Sequence, residues 1–203
     1  THLEVFGTLP ASADDGVGAG KIALLGPAEP GFWAHASTQP EFSDNRPDPL
    51  DRWSERVIGG IAQQIGGTAL LPFGEPARPF FSWALRSGRA WKSPVALLVH
   101  DTAGLMVSYR GAILLHDTVE GPPKTESPCD TCSGQPCLSA CPVGALTGDS
   151  YDLETCHSFL DKPEGEGCMS RGCEVRRSCP LSQNYGRSEQ QSAFHMERFH
   201  TCR

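Results

Sequence analysis

The residues best suited to chemistry in this chain are its nine cysteines, and all of them lie between Cys129 and Cys202. The first run is Cys129-x2-Cys132-x4-Cys137-x3-Cys141-Pro142, and the second is Cys156, Cys168-x4-Cys173-x5-Cys179-Pro180. Closely spaced thiolates converge when a loop wraps an iron–sulfur cubane, because successive sulfurs reach different irons. Each run closes on Cys-Pro, where proline removes an amide and the following segment can start a helix. Two other uses of cysteine compete with this reading. Structural zinc takes four cysteines as two Cys-x2-Cys pairs, a spacing that only Cys129 and Cys132 share. A disulfide framework needs an oxidising compartment, and an odd count leaves one thiol over.

Composition narrows the other possibilities. Formal charge is −7 with 17 basic and 24 acidic residues, and no segment is rich in Lys or Arg, so no nucleic-acid footprint is expected. No apolar run approaches a membrane span; the longest, Val95–Val99, stops at His100. No signal-peptide pattern opens the chain, which gives a cytoplasmic location as the expectation. Arg171, Arg176 and Arg177 stand among the later cysteines, where they could tune a metal group or dock an acidic donor, or serve as solvated surface charge.

The elements that must position the cysteines are preceded by a long stretch without any. Residues 1–128 hold no cysteine, and Glu120-Gly-Pro-Pro-Lys-Thr-Glu-Ser-Pro128 reads as a linker, dividing the chain into 1–122 and 123–203. Leu3–Leu9 and Lys21–Leu25 read as strands joined by the turn-rich Asp14–Gly20. That glycine cluster fails both phosphate-loop patterns: Asp15 sits where a Walker loop needs Gly, and Ile22 where it needs Ser or Thr. Asp48 and Pro49 punctuate the start of a helix whose stripe is Leu50, Trp53, Val57, Ile58, Ile61 and Ile65, stopped by Gly66-Gly67. Ala69–Phe73 reads as a strand and Pro76–Ser87 as a second helix ended by Gly88, with Phe80, Trp83 and Ala84 facing inward. Pro94–His100 and Leu105–Leu115 read as two buried strands joined by Asp101–Gly104. Hairpin-joined strands with two helices predict an α+β layer.

The first cysteine run resembles the bacterial two-[4Fe–4S] ferredoxins, with the Ser133–Pro136 gap two residues longer than their usual pattern. The second, with Cys156-His157-Ser-Phe-Leu160, a spacer and a group closing on Cys179-Pro180, resembles the iron–sulfur half of epoxyqueuosine reductases and reductive dehalogenases. Those enzymes place this module after a corrinoid-binding domain. Over roughly residues 20–117, His100-x3-Gly104-x5-Arg110-Gly111 and the order of elements resemble the cobalamin-processing reductases that remove the upper ligand of vitamin B12. The chain departs from them at Leu105-Met106, where that family has an aromatic, and its first half is far shorter.

Together the resemblances imply a nitroreductase-related α/β layer domain followed by a two-cluster ferredoxin-like domain. They imply one [4Fe–4S] cluster on Cys129, Cys132, Cys137 and Cys179 and another on Cys141, Cys156, Cys168 and Cys173, in the crossed ferredoxin pattern. Cys202 is then a spare thiol. The implied activity is passage of single electrons from a soluble redox partner through the clusters to an acceptor at the N-terminal domain, with a corrinoid as one acceptor and His100 and Arg110 as its contacts. A dedicated electron carrier with a partner-docking N-terminal domain, and a zinc-stabilised interaction module, stand as alternatives.

Overall fold

A computed structural model describes residues 2–116 and 120–201. Cys202 lies outside the described residues. In chain order the elements are β1 (Leu3–Pro10), β2 (Lys21–Pro27), α1 (Phe32–Ala36), α2 (Pro49–Gln64), β3 (Thr68–Leu70), α3 (Phe80–Ser87), β4 (Ala90–Lys92), β5 (Leu98–His100), β6 (Gly111–Leu115), α4 (Leu153–Leu160), α5 (Glu166–Arg171), α6 (Glu174–Ser178), α7 (Pro180–Asn184) and α8 (Glu189–Thr201). Small antiparallel sheets combined with helices make the fold α+β. Among the described residues no helix is long and apolar enough to cross a membrane.

The chain divides into two compact units, Thr1–Arg89 with Ser108–Thr125, and Ala90–Val107 with Glu126–Arg203. The division at 122/123 expected from the linker lies near the last of these boundaries. The segment Ala90–Val107, however, groups with the cysteine-rich unit.

The first unit is built on a four-stranded antiparallel sheet of order β1-β2-β6-β3. Alternation along its inner strands sends side chains to two faces. Leu9, Ile22, Leu24, Leu70, Ala112 and Leu114 meet Phe80 and Trp83 of α3 on one face. Leu25 and Ile113 meet Ile58 and Ala62 of α2 on the other. The near-continuous apolar runs of β2 and β6 follow from burial on both faces. Trp53 is fully buried in an edge-to-face contact with Phe32, as a core residue.

Several local expectations change. Asp48 does precede α2, but its left-handed backbone (φ 51°, ψ 51°) leaves its side chain without a capping bond, since a side-chain cap is ordinarily made from extended backbone. At the other end Gly66 takes φ 68° and the Gly67 amide donates to the Ala62 carbonyl (2.8 Å), which leaves Ile65 exposed beyond the stripe. α3 begins at Phe80 rather than Pro76, with Pro79 as its N-cap. β3 stops at Leu70, short of Phe73.

The expected Pro94–His100/Leu105–Leu115 hairpin does not form. β5 pairs instead with β4, in the register Ala90↔His100 to Lys92↔Leu98, while β6 inserts between β2 and β3 in the other sheet. Gly104 (φ 57°) turns the chain back on His100 in a single bridge, so residues 105–110 leave the hairpin as irregular backbone.

The turn at 13–15, read from the sequence as a plain connection, holds a buried charge. Asp15 accepts from the Trp83 indole (2.9 Å), the Arg86 guanidinium (2.7 Å) and the Ser12 amide (2.7 Å). The Arg86 hydrogen bond is the main reason its carboxyl titrates well below the usual range. A depressed folded-state pKa contributes stability above the unfolded value of about 3.9, and that contribution is lost as pH falls further. Asp15→Asn is therefore expected to destabilise the protein by about 1–3 kcal/mol at pH 7, with the deficit shrinking toward pH 2. Urea denaturation at both pH values checks this; an equal deficit at both would contradict it.

Candidate metal centre

Short helices and tight turns place the cysteines. Cys129 and Cys132 share a turn in which the Cys132 amide donates to the Cys129 carbonyl (3.3 Å). Cys137 is buried within a single 3₁₀ turn, Pro136–Leu138. Cys156 lies in the first turns of α4, whose start is fixed by Asp152: its carboxylate accepts from the Thr155 amide (2.9 Å) and hydroxyl (2.6 Å). Cys168 is buried on α5, Cys173 stands at the N-cap position of α6 without a side-chain capping bond, and Cys179 ends α6 and opens α7 with Pro180 at the first helical position. Gly172, between two of these cysteines, has φ 92°, and an added Cβ would lie 2.8 Å from Ser192 Cβ on α8. Only glycine lets α8 pack that closely.

All eight described cysteines are free thiols. Cys129, Cys132, Cys137 and Cys179 line one cavity of about 550 Å³, together with Val99 and Leu105 of the β5 region and Leu181. Cys141, Cys156, Cys168 and Cys173 line a second, of about 30 Å³, with Tyr151, Phe159, Val175 and Met196. Among the described residues no three His, Cys, Asp or Glu side chains converge on one ion-sized point. Val175 is fully buried, lines the second cavity and belongs to the apolar cluster that includes Cys137 and touches Cys179.

Electrostatics groups the thiols in the same way. Burial pushes the Cys129 thiol up, and Cys137, Cys179 and Cys132 push it further. Cys137 is raised by burial and then by Cys179. Cys156 is raised by burial, with Cys173 and Cys141 adding to it, and Cys168 by burial, with Cys173 adding to it. Thiolates crowded in this way need a compensating positive centre to be stable as anions. A group that accepts four thiolates and is several ångströms wide suits such a donor set, and an iron–sulfur cluster is one.

The other residues marked by the sequence take structural partners. His100 is fully buried, and its Nδ1 accepts from the amides of Thr102 (3.1 Å) and Ala103 (3.4 Å), closing the turn to Gly104. Arg110 is buried in the first unit and pairs with Asp51 (2.6 Å). Neither lines the two cysteine cavities or the groove of about 290 Å³ in the first unit, between α2 and the β1 side of the sheet. Arg176 donates to the Leu105 carbonyl (2.6 Å) and Arg187 to that of Met106 (3.1 Å). Arg177 donates to the Gly172 carbonyl (2.9 Å) and pairs with Glu174 (3.4 Å), while Arg171 stays exposed. The sequence reading missed Tyr151, whose hydroxyl lies 3.5 Å from Cys156 Sγ. Its only signal is its place directly before the Asp152 helix cap.

No protein-family model matches the chain, and no curated protein does. Among solved structures it is similar to a crystal structure of selenomethionine-labeled epoxyqueuosine reductase, at 18% identity and a TM-score of 0.45, over 85% of this chain and 52% of that one. The chain thus spans about half the length of that protein. Its own fold and site define an α+β protein whose second unit gathers eight free cysteines around two cavities.

The Ala90–Val107 segment that borders the larger cavity is held by close backbone approach at Gly104. An added Cβ there would lie 2.6 Å from the Ser182 nitrogen and 2.7 Å from its hydroxyl, at a positive φ. Gly104→Ala is expected to cost about 1–3 kcal/mol, read as a lower urea midpoint; an unchanged midpoint would show that the turn does not depend on this contact.

Proposed function

We propose that this chain is an iron–sulfur redox protein that passes single electrons through two [4Fe–4S] clusters. One would be held by Cys129, Cys132, Cys137 and Cys179, the other by Cys141, Cys156, Cys168 and Cys173. The observation that carries the reading is the sorting of eight free thiols into two cavities, four to each, in the crossed pattern that the ferredoxin resemblance implies. When bound, such clusters supply reversible one-electron redox chemistry. The chain's own part is to supply thiolates, to limit water around them through Val99, Leu105, Val175 and Phe159, and to hold the two quartets on shared segments. Residues 137–141 and 173–179 each begin at one quartet and end at the other.

For the destination of the electrons, an external soluble redox partner is the reading we adopt, in a reducing compartment such as the cytoplasm. The engagement of His100 with its own turn and of Arg110 with Asp51 supports it. The first unit's groove of about 290 Å³ sits at the lower edge of the range of about 300–1,000 Å³ typical of small-molecule sites, small for a group of corrinoid size, and neither His100 nor Arg110 lines it.

Anaerobic reconstitution with iron and sulfide is expected to give a brown protein with two full cubanes per chain. Cys179→Ser or Cys156→Ser should each halve the iron while leaving the other cluster intact. Zinc bound in preference to iron, or loss of all iron from either variant, would contradict the assignment. Added cobalamin should leave the visible spectrum of the apoprotein equal to the sum of its parts; a binding shift would reinstate the corrinoid reading.

A further inference from the structure

Tyr151 belongs to neither cysteine run, yet several contacts hold it against one of them. An isolated bridge to Leu146 fixes its backbone, and the next residue's amide donates to the Ala145 carbonyl (2.7 Å). Its ring stacks on Phe199 (centroids 6.1 Å apart, planes 13° from parallel), and Phe199 in turn stacks on His157 (4.6 Å, 16°). That stack is anchored at its far end: His157 Nδ1 lies 3.1 Å from His200 Nδ1, and His200 Nε2 lies 3.0 Å from an Asp161 carboxylate oxygen. The ring is thus clamped, and its hydroxyl is left 3.5 Å from Cys156 Sγ.

We propose that the Tyr151 hydroxyl donates a hydrogen bond to the Cys156 sulfur and thereby raises the reduction potential of the cluster held by Cys141, Cys156, Cys168 and Cys173. The inference rests on the function proposed above. A thiolate ligand has no proton to give, so with Cys156 ligating, the phenol must be the donor. A hydrogen bond to a ligand sulfur withdraws charge from it, which favours the reduced and more negative cluster over the oxidised one; hydrogen bonding to the sulfurs is one of the levers that set cluster potentials. A phenol, with an ordinary pKa of about 10, keeps its proton at neutral pH and is available as a donor. Tyr151 is a positioning residue: it acts through Cys156 and needs no contact with the irons.

The test is Tyr151→Phe in the full chain, reconstituted anaerobically beside wild type, with iron and sulfide counted first and midpoint potentials then read by EPR-monitored titration. Phenylalanine keeps the stack on Phe199 and deletes only the donor. One midpoint should move negative and the other stay in place, at full iron content in both proteins. Two unchanged midpoints at full iron would overturn the inference while leaving the two-cluster reading intact. Wild type that takes up no iron would overturn that reading and the inference with it. Should the phenylalanine variant lose iron, replacement of Tyr151 by 3-fluorotyrosine decides, because a more acidic phenol is a stronger donor of the same shape. A positive shift of the same midpoint supports the role, and no shift refutes it.

Discussion

The second unit depends on one electrostatic constraint: thiolates brought together in a partly buried cavity repel one another and call for a compensating positive centre. Burial alone raises the thiols of Cys129, Cys137, Cys156 and Cys168, and their cavity mates raise them further. Under the function proposed here, the iron core supplies that compensation, and metal binding becomes part of the folding free energy of the unit. The backbone around the cysteines fits a unit of this kind. Among the described residues it consists of helices α4 to α8 and single turns, packed against an apolar cluster that includes Val95, Val99, Leu105, Leu146 and Val175.

The first unit is held together by different physics. Its sheet buries both faces, α2 on one and α3 on the other, and its buried Asp15 is fully engaged by an indole, a guanidinium and an amide. Charged residues that looked available for chemistry are committed to the fold. Arg110 is paired with Asp51, although its Nε has no partner, and His100 closes a turn in the second unit.

The sequence was most legible where the signal is local. The β1–β2 hairpin, the span of α2 and the core role of Trp53 follow from alternation, helical spacing and glycine stops within a few residues. Pairing across long separations was not legible. The apolar runs 94–100 and 105–115 look like hairpin partners, but each finds a better-matched strand elsewhere, and nothing local distinguishes the two outcomes. Asp15 and Tyr151 were missed for the same reason. Asp15 meets Trp83 from 68 residues away, and the ring that clamps Tyr151 comes from α8. Asp48 shows the converse limit, since a residue type suited to capping does not cap when its backbone is left-handed.

Mössbauer spectroscopy of the chain reconstituted with ⁵⁷Fe tests the central claim most directly, because it reports the chemical form of every iron atom and not only the amount. The account predicts that essentially all iron appears as diamagnetic cubanes with paired mixed-valence sites, filling both quartets. Iron held as isolated high-spin ions in four-sulfur sites, or as adventitious ferric iron washed out by a chelator, would contradict it.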